Sequence, residues 1–195
     1  MANFTNDVDF LYEVGELRKI IRYFQYAQGA SSVTEHTFRV CMTALILAKR
    51  EGADITKTVL IALLHDVPEV RTGDANPWQK PYLEIHTEKA AHDMLSGTTL
   101  ADLLPLIHDY EKRESLEAKI VKDADMIECE MEMRELKEMG SNCNAYFDAL
   151  GDTEYVFNKL RTESGKAMYR EVCNRRPFDH FQRSPNTRKS NKHGT

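Results

Sequence analysis

Apolar residues recur three and four positions apart along most of this chain, and strand-like alternation is absent, which is the signature of amphipathic helices. The pattern predicts an all-α fold, a helical bundle reaching about residue 174. The stripe Phe10, Leu11, Val14, Leu17, Ile20, Ile21 and Phe24 predicts a first helix from about Asp7 to Ala27, ended by the loop Gln28-Gly29-Ala30-Ser31-Ser32. A second helix is expected to begin near Thr34, whose hydroxyl can cap it, and to carry Phe38, Val40, Cys41, Leu45, Ile46 and Leu47 before Gly52. His36 then falls in its first turn. A third starts after Asp54-Ile55-Thr56 and runs through Leu60-Ile61-Ala62-Leu63-Leu64 into His65-Asp66, where Pro68 removes a backbone donor and kinks or restarts the helix. Arg71-Thr72-Gly73-Asp74-Ala75-Asn76-Pro77 reads as a turn-rich loop. Further helices are expected over about Glu84–Leu95, Leu100–Tyr110, Ser115–Met139 and Asp152–Val172.

Composition narrows the class. A chain of 195 residues with 42% hydrophobic content is long enough for one domain with one core. A net charge of −5 and a pI near 5.8 argue against a general nucleic-acid binder, which needs a basic surface to displace phosphate counterions. Cys41, Cys129, Cys143 and Cys173 form no C-x-x-C pair, and Met1-Ala2-Asn3-Phe4-Thr5-Asn6-Asp7 shows no basic segment followed by an apolar one. The expectation is a reduced, cytoplasmic protein. No apolar stretch approaches the roughly 20 residues that span a bilayer. The segment Arg175–Thr195 holds six Lys/Arg against one Asp, a formal +5 that leaves about −10 on the rest. Without apolar periodicity it reads as a basic, solvated and disordered tail, with phosphate or RNA contact as the alternative. The domain therefore spans 1–174 and the tail 175–195.

Adjacent ionisable residues at the end of an apolar helix are the feature that points to chemistry. A charged Asp66 beside His65 at the edge of a core is costly unless compensated. A divalent cation held by imidazole nitrogen and carboxylate oxygen supplies that compensation. His36 upstream and Asp123 or Asp125 downstream are the further ligand candidates. Each has a plain alternative: His36 as a surface imidazole, Asp66 as a helix cap. On a helical wheel Ile120, Ala124, Ile127 and Met131 share one face with Asp123 and Asp125 on either side, so periodicity does not choose between the two carboxylates. Glu128, one turn on, reads as a salt-bridge or outer hydrogen-bond partner rather than a ligand.

The series His36, twenty-eight residues, His65-Asp66, fifty-eight residues, Asp125 resembles the HD superfamily of metal-dependent phosphohydrolases. Leu11-Tyr12-Glu13-Val14-Gly15-Glu16-Leu17-Arg18, Ser32-Val33-Thr34-Glu35-His36, His65-Asp66-Val67-Pro68-Glu69-Val70-Arg71-Thr72-Gly73-Asp74 and Lys122-Asp123-Ala124-Asp125 resemble more particularly the short HD hydrolases related to the bacterial 5'-deoxynucleotidase and its human and archaeal relatives. The likeness covers about residues 8 to 140. It implies that His36, His65, Asp66 and Asp125 hold one divalent cation (Co, Mn, Zn or Mg), and it is this likeness that selects Asp125 over Asp123. It also implies that Glu69 is the general acid/base, that Arg22 binds phosphate, and that Asp74 accepts the sugar 3'-hydroxyl. Tyr23 falls where the deoxynucleotidase has a Trp crowding the sugar 2' position, and the smaller ring implies weak discrimination between ribose and deoxyribose. Lys80 can reach a phosphate or stand solvated, and Glu69 can instead pair with Arg71 or Lys57. A homodimer is the family expectation.

The implied reaction is hydrolysis of the 5'-phosphate ester of a (deoxy)nucleoside monophosphate. Two His and two Asp neutralise a dication while leaving positions open for water and a phosphoryl oxygen. A triphosphohydrolase of the dATP-cleaving phage type breaks the same ester and is the alternative; a metal-binding regulatory module without turnover is a third. His86 and His92 are six apart and share no helical face, which disfavours a second metal. Val67-Pro68-Glu69 lacks the acidic pair that the stringent-response hydrolases carry after His-Asp.

Overall fold

A computed structural model describes residues 3–22, 28–149 and 153–183. Among these, ten α-helices succeed one another: α1 (Thr5–Val14), α2 (Val33–Glu51), α3 (Ile55–Leu64), α4 (Glu69–Thr72), α5 (Thr87–Leu95), α6 (Leu104–Lys112), α7 (Leu116–Glu138), α8 (Asn144–Ala149), α9 (Thr153–Lys159) and α10 (Glu163–Asn174). Extended pairing among the described residues is limited to an isolated antiparallel bridge between Ile21 and Ser32. The fold is all-α, and no helix among the described residues is long and apolar enough to cross a membrane.

The first apolar stripe does not make a single helix to Ala27. α1 ends at Val14, a 3-10 turn occupies Gly15–Lys19, and Ile20 is extended (φ −85°, ψ 107°). The β-branched pair Ile20-Ile21 lies instead beside the entry to α2, with Val33 N–H donating to the Ile20 carbonyl at 2.9 Å and Arg22 N–H to the Ser31 carbonyl at 3.0 Å. Periodicity along one segment does not reveal that pairing partner. Residues 23–27 lie outside the described residues.

Ser32, not Thr34, caps α2: its hydroxyl accepts from Glu35 N–H at 3.4 Å while the Glu35 carboxylate accepts from Ser32 N–H at 2.8 Å, a reciprocal box. Asp54 caps α3 through Lys57 N–H at 3.0 Å. After Leu64 the chain tightens without straightening. Val67 N–H donates to the Leu64 carbonyl (3.1 Å), Glu69 N–H to Asp66 (3.0 Å) and Arg71 N–H to Pro68 (3.0 Å), the three-residue bonds expected where Pro68 forbids the regular one.

α7 sits at the centre, packed against α2, α3, α6 and α10. Val40, Ala44 and Leu47 of α2, Ile61 and Ala62 of α3, and Ile120, Val121, Ala124 and Ile127 of α7 are wholly buried and form the main core. A second cluster gathers Phe10, Leu17, Val33, Leu64, Leu95 and Ile107 beneath α1, α5 and α6. Because α7 is covered on several sides, its acids Asp123, Glu128, Glu130 and Glu132 are buried too, and a one-faced reading of this helix fails.

The expected helix Asp152–Val172 is two, α9 and α10, and Asp123 stands at the break. Its carboxylate accepts from Arg161 N–H (2.8 Å), Thr162 N–H (2.8 Å) and the Thr162 hydroxyl (2.7 Å), and that hydroxyl in turn caps α10 through Gly165 N–H at 3.0 Å. A Cβ on Gly165 would run into Asp123 Oδ2 and Thr162 Oγ1. Smaller departures follow local chemistry. α5 starts at Thr87 rather than Glu84, and a 3-10 turn at Ala101–Leu103 leads into α6. The short α8 was not expected. The described part of the basic tail carries a 3-10 segment, Pro177–Arg183, against α7, with Arg176 paired to Glu138, where a structureless end was expected. Residues 184–195 lie outside the described residues.

Candidate active site

His36 is in the first turn of α2, fixed there by the Ser32 box, and its ring is fully buried. His65 and Asp66 follow the last turn of α3, and Asp125 comes from the middle of α7. The three elements converge. Nε2 of His36 lies 3.3 Å from Asp125 Oδ1 and 3.5 Å from Asp66 Oδ2, and Nε2 of His65 lies 3.1 Å from that same Asp66 oxygen. His36, His65 and Asp66 each bring one ligand atom within 4.8 Å of the others.

The outer nitrogens of both rings are occupied. His65 Nδ1 donates to the Ala62 carbonyl at 2.7 Å, a partner that can only accept, so in the neutral ring Nε2 carries the lone pair. Nδ1 of His36 faces Glu128 Oε2, whose other oxygen accepts from Arg39 Nε at 3.0 Å and Nη2 at 2.9 Å. Arg39 also reaches Glu135 at 2.7 Å. By contrast His36 Nε2, His65 Nε2 and Asp66 Oδ2 are buried without hydrogen-bond partners. Three buried ligand atoms that meet around Asp66 Oδ2, at 3.5 Å from His36 Nε2 and 3.1 Å from His65 Nε2, without an aligned hydrogen bond fit a cation, which would replace the hydration they give up. Burial disfavours protonation of His36, yet the Asp125 and Glu128 carboxylates outweigh it and hold the ring up at about 9. Burial likewise opposes the Asp66 carboxylate, but His65 and His36 beside it bring it down to about 2.

Arg22 follows the Ile21–Ser32 bridge, and its side chain is almost fully buried. Its Nη1 stands 3.4 Å from Asp74 Oδ2 and 3.6 Å from Asp66 Oδ2, and its Nη2 4.0 Å from Asp125 Oδ1. The guanidinium thus sits beside the imidazole-carboxylate cluster, where a tetrahedral oxyanion would meet both. Asp125 has its second oxygen held by the Tyr110 hydroxyl (3.1 Å) and Lys122 Nζ (2.7 Å).

Glu69 opens α4, and its Oε2 is buried without a hydrogen-bond partner. Burial first, and then the charges of Asp66, Asp74 and Asp125, push its carboxyl up to about 10 against the pull of Arg22. Neither alternative partner takes it. Arg71 pairs with Glu13 at 3.0 Å, and Lys57 with Asp109 (2.9 Å) and Glu117 (3.4 Å). Asp123 is spent on the α9–α10 break.

Not every expected residue joins. Lys80 is exposed in the turn Lys80–Tyr82, and no hydrogen bond or ion pair among the described residues ties it to the cluster. Tyr23 lies outside the described residues. His86, His92 and His108 are all more than half exposed and face Glu84, Asp93 and Glu88.

The profile described as HD domain matches residues 14–162, three quarters of the chain and every residue of the cluster. The chain belongs to the HD-domain phosphohydrolase family. Among HD-domain relatives, the 5'-deoxynucleotidase HDDC2 of Dictyostelium discoideum is 31% identical over 140 residues, covering 64% of this chain and 74% of that protein. The Homo sapiens 5'-deoxynucleotidase HDDC2 is 27% identical over 160 residues, covering 77% and 78%. A conserved hypothetical protein of Pyrococcus furiosus superposes with a TM-score of 0.70 at 26% identity, covering 86% of this chain and 99% of that one.

Glu128 takes the outer hydrogen-bond role expected of it, while three other polar groups around this HD site, Lys122, Arg39 and Tyr110, were missed in the sequence. Glu128 and Lys122 lie three residues to either side of Asp125 on α7, a spacing that puts them within reach. Arg39 is three residues after His36 and follows the same rule. Tyr110, from α6, carries no local signal; only the packing of α6 on α7 brings its hydroxyl to Asp125.

Proposed function

We propose that this chain is a cytoplasmic, metal-dependent 5'-nucleotidase that releases orthophosphate from (deoxy)nucleoside monophosphates. The observation that carries the reading is the set of three unbonded, buried ligand atoms on His36, His65 and Asp66, with the Arg22 guanidinium beside them. His36, His65, Asp66 and Asp125 would hold one divalent cation, Co, Mn, Zn or Mg. Bound there, it supplies an activated water and withdraws charge from the phosphate.

The chain's own groups do the rest. Arg22 binds the phosphate through its fork, and Asp74 accepts the sugar 3'-hydroxyl; Lys80, exposed in the turn beyond, would have to swing inward to add a second positive charge at the phosphate. Glu69, held near the cluster by the tight turns across Pro68, moves the proton between water and the leaving 5'-oxygen. Burial and its carboxylate neighbours keep it protonated in the metal-free protein, and a nearby dication would lower it into the range useful for exchange. Tyr23, at the position where the deoxynucleotidase has the larger Trp, leaves ribose and deoxyribose substrates within about a hundredfold of each other.

The absence of paired cysteine motifs supports a reducing compartment. A homodimer is part of the proposal, supported by Phe38, Met42 and Ile46, an exposed apolar stripe four residues apart on the outer face of α2. Sedimentation at micromolar concentration tests it. The function is tested by phosphate release from the common nucleoside mono- and triphosphates with each of the four metals. Orthophosphate from monophosphates is expected; tripolyphosphate from triphosphates, or no turnover with any metal, overturns the reading.

A further inference from the structure

The loop beyond Asp74 carries a feature that the reaction above does not use. The chain leaves Asp74 through buried Ala75 and Asn76 and then turns sharply. Asn76 fastens the turn. Its Oδ1 accepts from Trp78 N–H at 3.0 Å and Gln79 N–H at 2.8 Å, its N–H donates to Gln79 Oε1 at 3.0 Å, and its carbonyl accepts from Lys80 N–H at 3.0 Å. Tyr82 N–H donates to the Gln79 carbonyl at 2.9 Å. A turn fixed by its own backbone does not need its large side chains for packing. Trp78 and Tyr82 are accordingly 71% and 88% exposed. With Leu83, Gln79 and Asn76 they line an open cavity of about 440 Å³.

One exposed aromatic is ordinary, but two aromatics and a leucine lining a single cavity on a rigid turn leave a contiguous apolar surface in water. Its place decides what covers it. The Asp74 carboxylate lies 3.4 Å from Arg22 at the reacting centre, and the chain from Asp74 to Asn76 spans at most about 7 Å. The cavity wall therefore begins within about that distance of the Asp74 backbone. A sugar phosphate held at Arg22 and Asp74 has its remaining substituent, a flat aromatic heterocycle, free to reach that wall.

We propose that the Asn76–Leu83 turn is the base subsite, with Trp78 and Tyr82 stacking the nucleobase of a nucleoside monophosphate. This rests on the nucleotidase reading and adds what holds the base. Ring faces grip any base and read little of its hydrogen-bond pattern, so the subsite favours nucleotides over pentose phosphates and discriminates weakly among bases. Because Asn76 sets the turn before the ligand arrives, little ordering is lost on binding.

Trp78 is the only tryptophan in the chain, so its fluorescence reports the subsite directly. Metal-loaded Glu69→Gln protein, which binds without rapid turnover, is titrated with dAMP and with deoxyribose 5-phosphate; quenching by dAMP and none by the pentose phosphate is expected. In steady-state assays Trp78→Ala should raise KM for dAMP by about tenfold or more, the scale of a lost base–aromatic stack, with kcat within about twofold and with Trp78→Phe restoring most of the affinity. Unchanged KM in Trp78→Ala, or equal quenching by the pentose phosphate, overturns the subsite alone. A wild-type enzyme inactive on every nucleoside monophosphate overturns the nucleotidase reading, and the subsite with it.

Discussion

The carboxylate of Glu128 closes on Nδ1 of His36 across ninety-two residues of sequence, and Arg39 clamps the opposite oxygen of that carboxylate. A ring held this way keeps Nε2 aimed at Asp66 and Asp125 whether or not anything is bound. Outer partners of ligand histidines typically contribute 10- to 100-fold in metal affinity. Glu128→Ala should therefore weaken metal binding by about that factor in chelator competition, and broaden the visible spectrum of the Co-loaded protein, while far-UV circular dichroism stays helical. Wild-type affinity in Glu128→Ala would reduce the pair to packing.

Asp123 and Asp125 are two residues apart and face different tasks, so their amides should fail differently. Asp125→Asn should lose metal with little change in the urea midpoint. Asp123→Asn should keep its metal but lose about 1–3 kcal/mol of stability, because a buried amide cannot accept all three donors from Arg161 and Thr162. Metal analysis beside urea unfolding separates them, and the reverse outcome would put the wrong aspartate at the centre.

Glu69→Gln preserves shape but not proton exchange. Turnover should fall by roughly 10²–10⁴-fold with metal content and nucleotide affinity retained, as read by single-turnover assays and metal analysis. A wild-type rate would leave Glu69 as a buried acid without a task.

At acid pH the joint between α3, α6 and α7 should yield. Lys57 binds Asp109 at 2.9 Å and Glu117 at 3.4 Å. Burial works against the Asp109 carboxylate, but Ser115 and Lys57 outweigh it and hold its pKa below the ordinary 3.8. A carboxylate lowered in the folded state contributes stability above its unfolded pKa and loses it as pH falls through the folded one. Lys57→Met should thus cost about 0.2–1 kcal/mol at neutral pH, the range of partly exposed pairs, and the gap in melting temperature should close only below pH 3.8. A gap that stays undiminished well below that pH, where both carboxylates are protonated, would mean the loss comes from the lysine stem, not its charge.

Much of this arrangement was legible before any coordinates. The apolar spacing located α2, α3, α6 and α7 to within a few residues, and His65-Asp66 falls, as expected, where Pro68 breaks the third helix. What escaped was everything decided between distant segments. The first helix stops short because Ile20 and Ile21 find a partner at Ser32 and Val33. The last long helix splits because Asp123 collects donors from Arg161 and Thr162. The wheel of α7 could not rank its two aspartates because both sides of that helix are buried, and only contacts made by α2, α6 and α10 distinguish them.

The space that Gly165 leaves open is filled by an oxygen of Asp123, and this ties two positions on different helices into one unit of inheritance. A side chain at 165 has no room while the acid is present, and a smaller residue at 123 would leave the amides at 161 and 162 without an acceptor. Among descendants of this sequence the two sites should change together or not at all, so that a glycine at 165 marks the acid at 123 as a structural clasp even where the motif beside it invites a different reading.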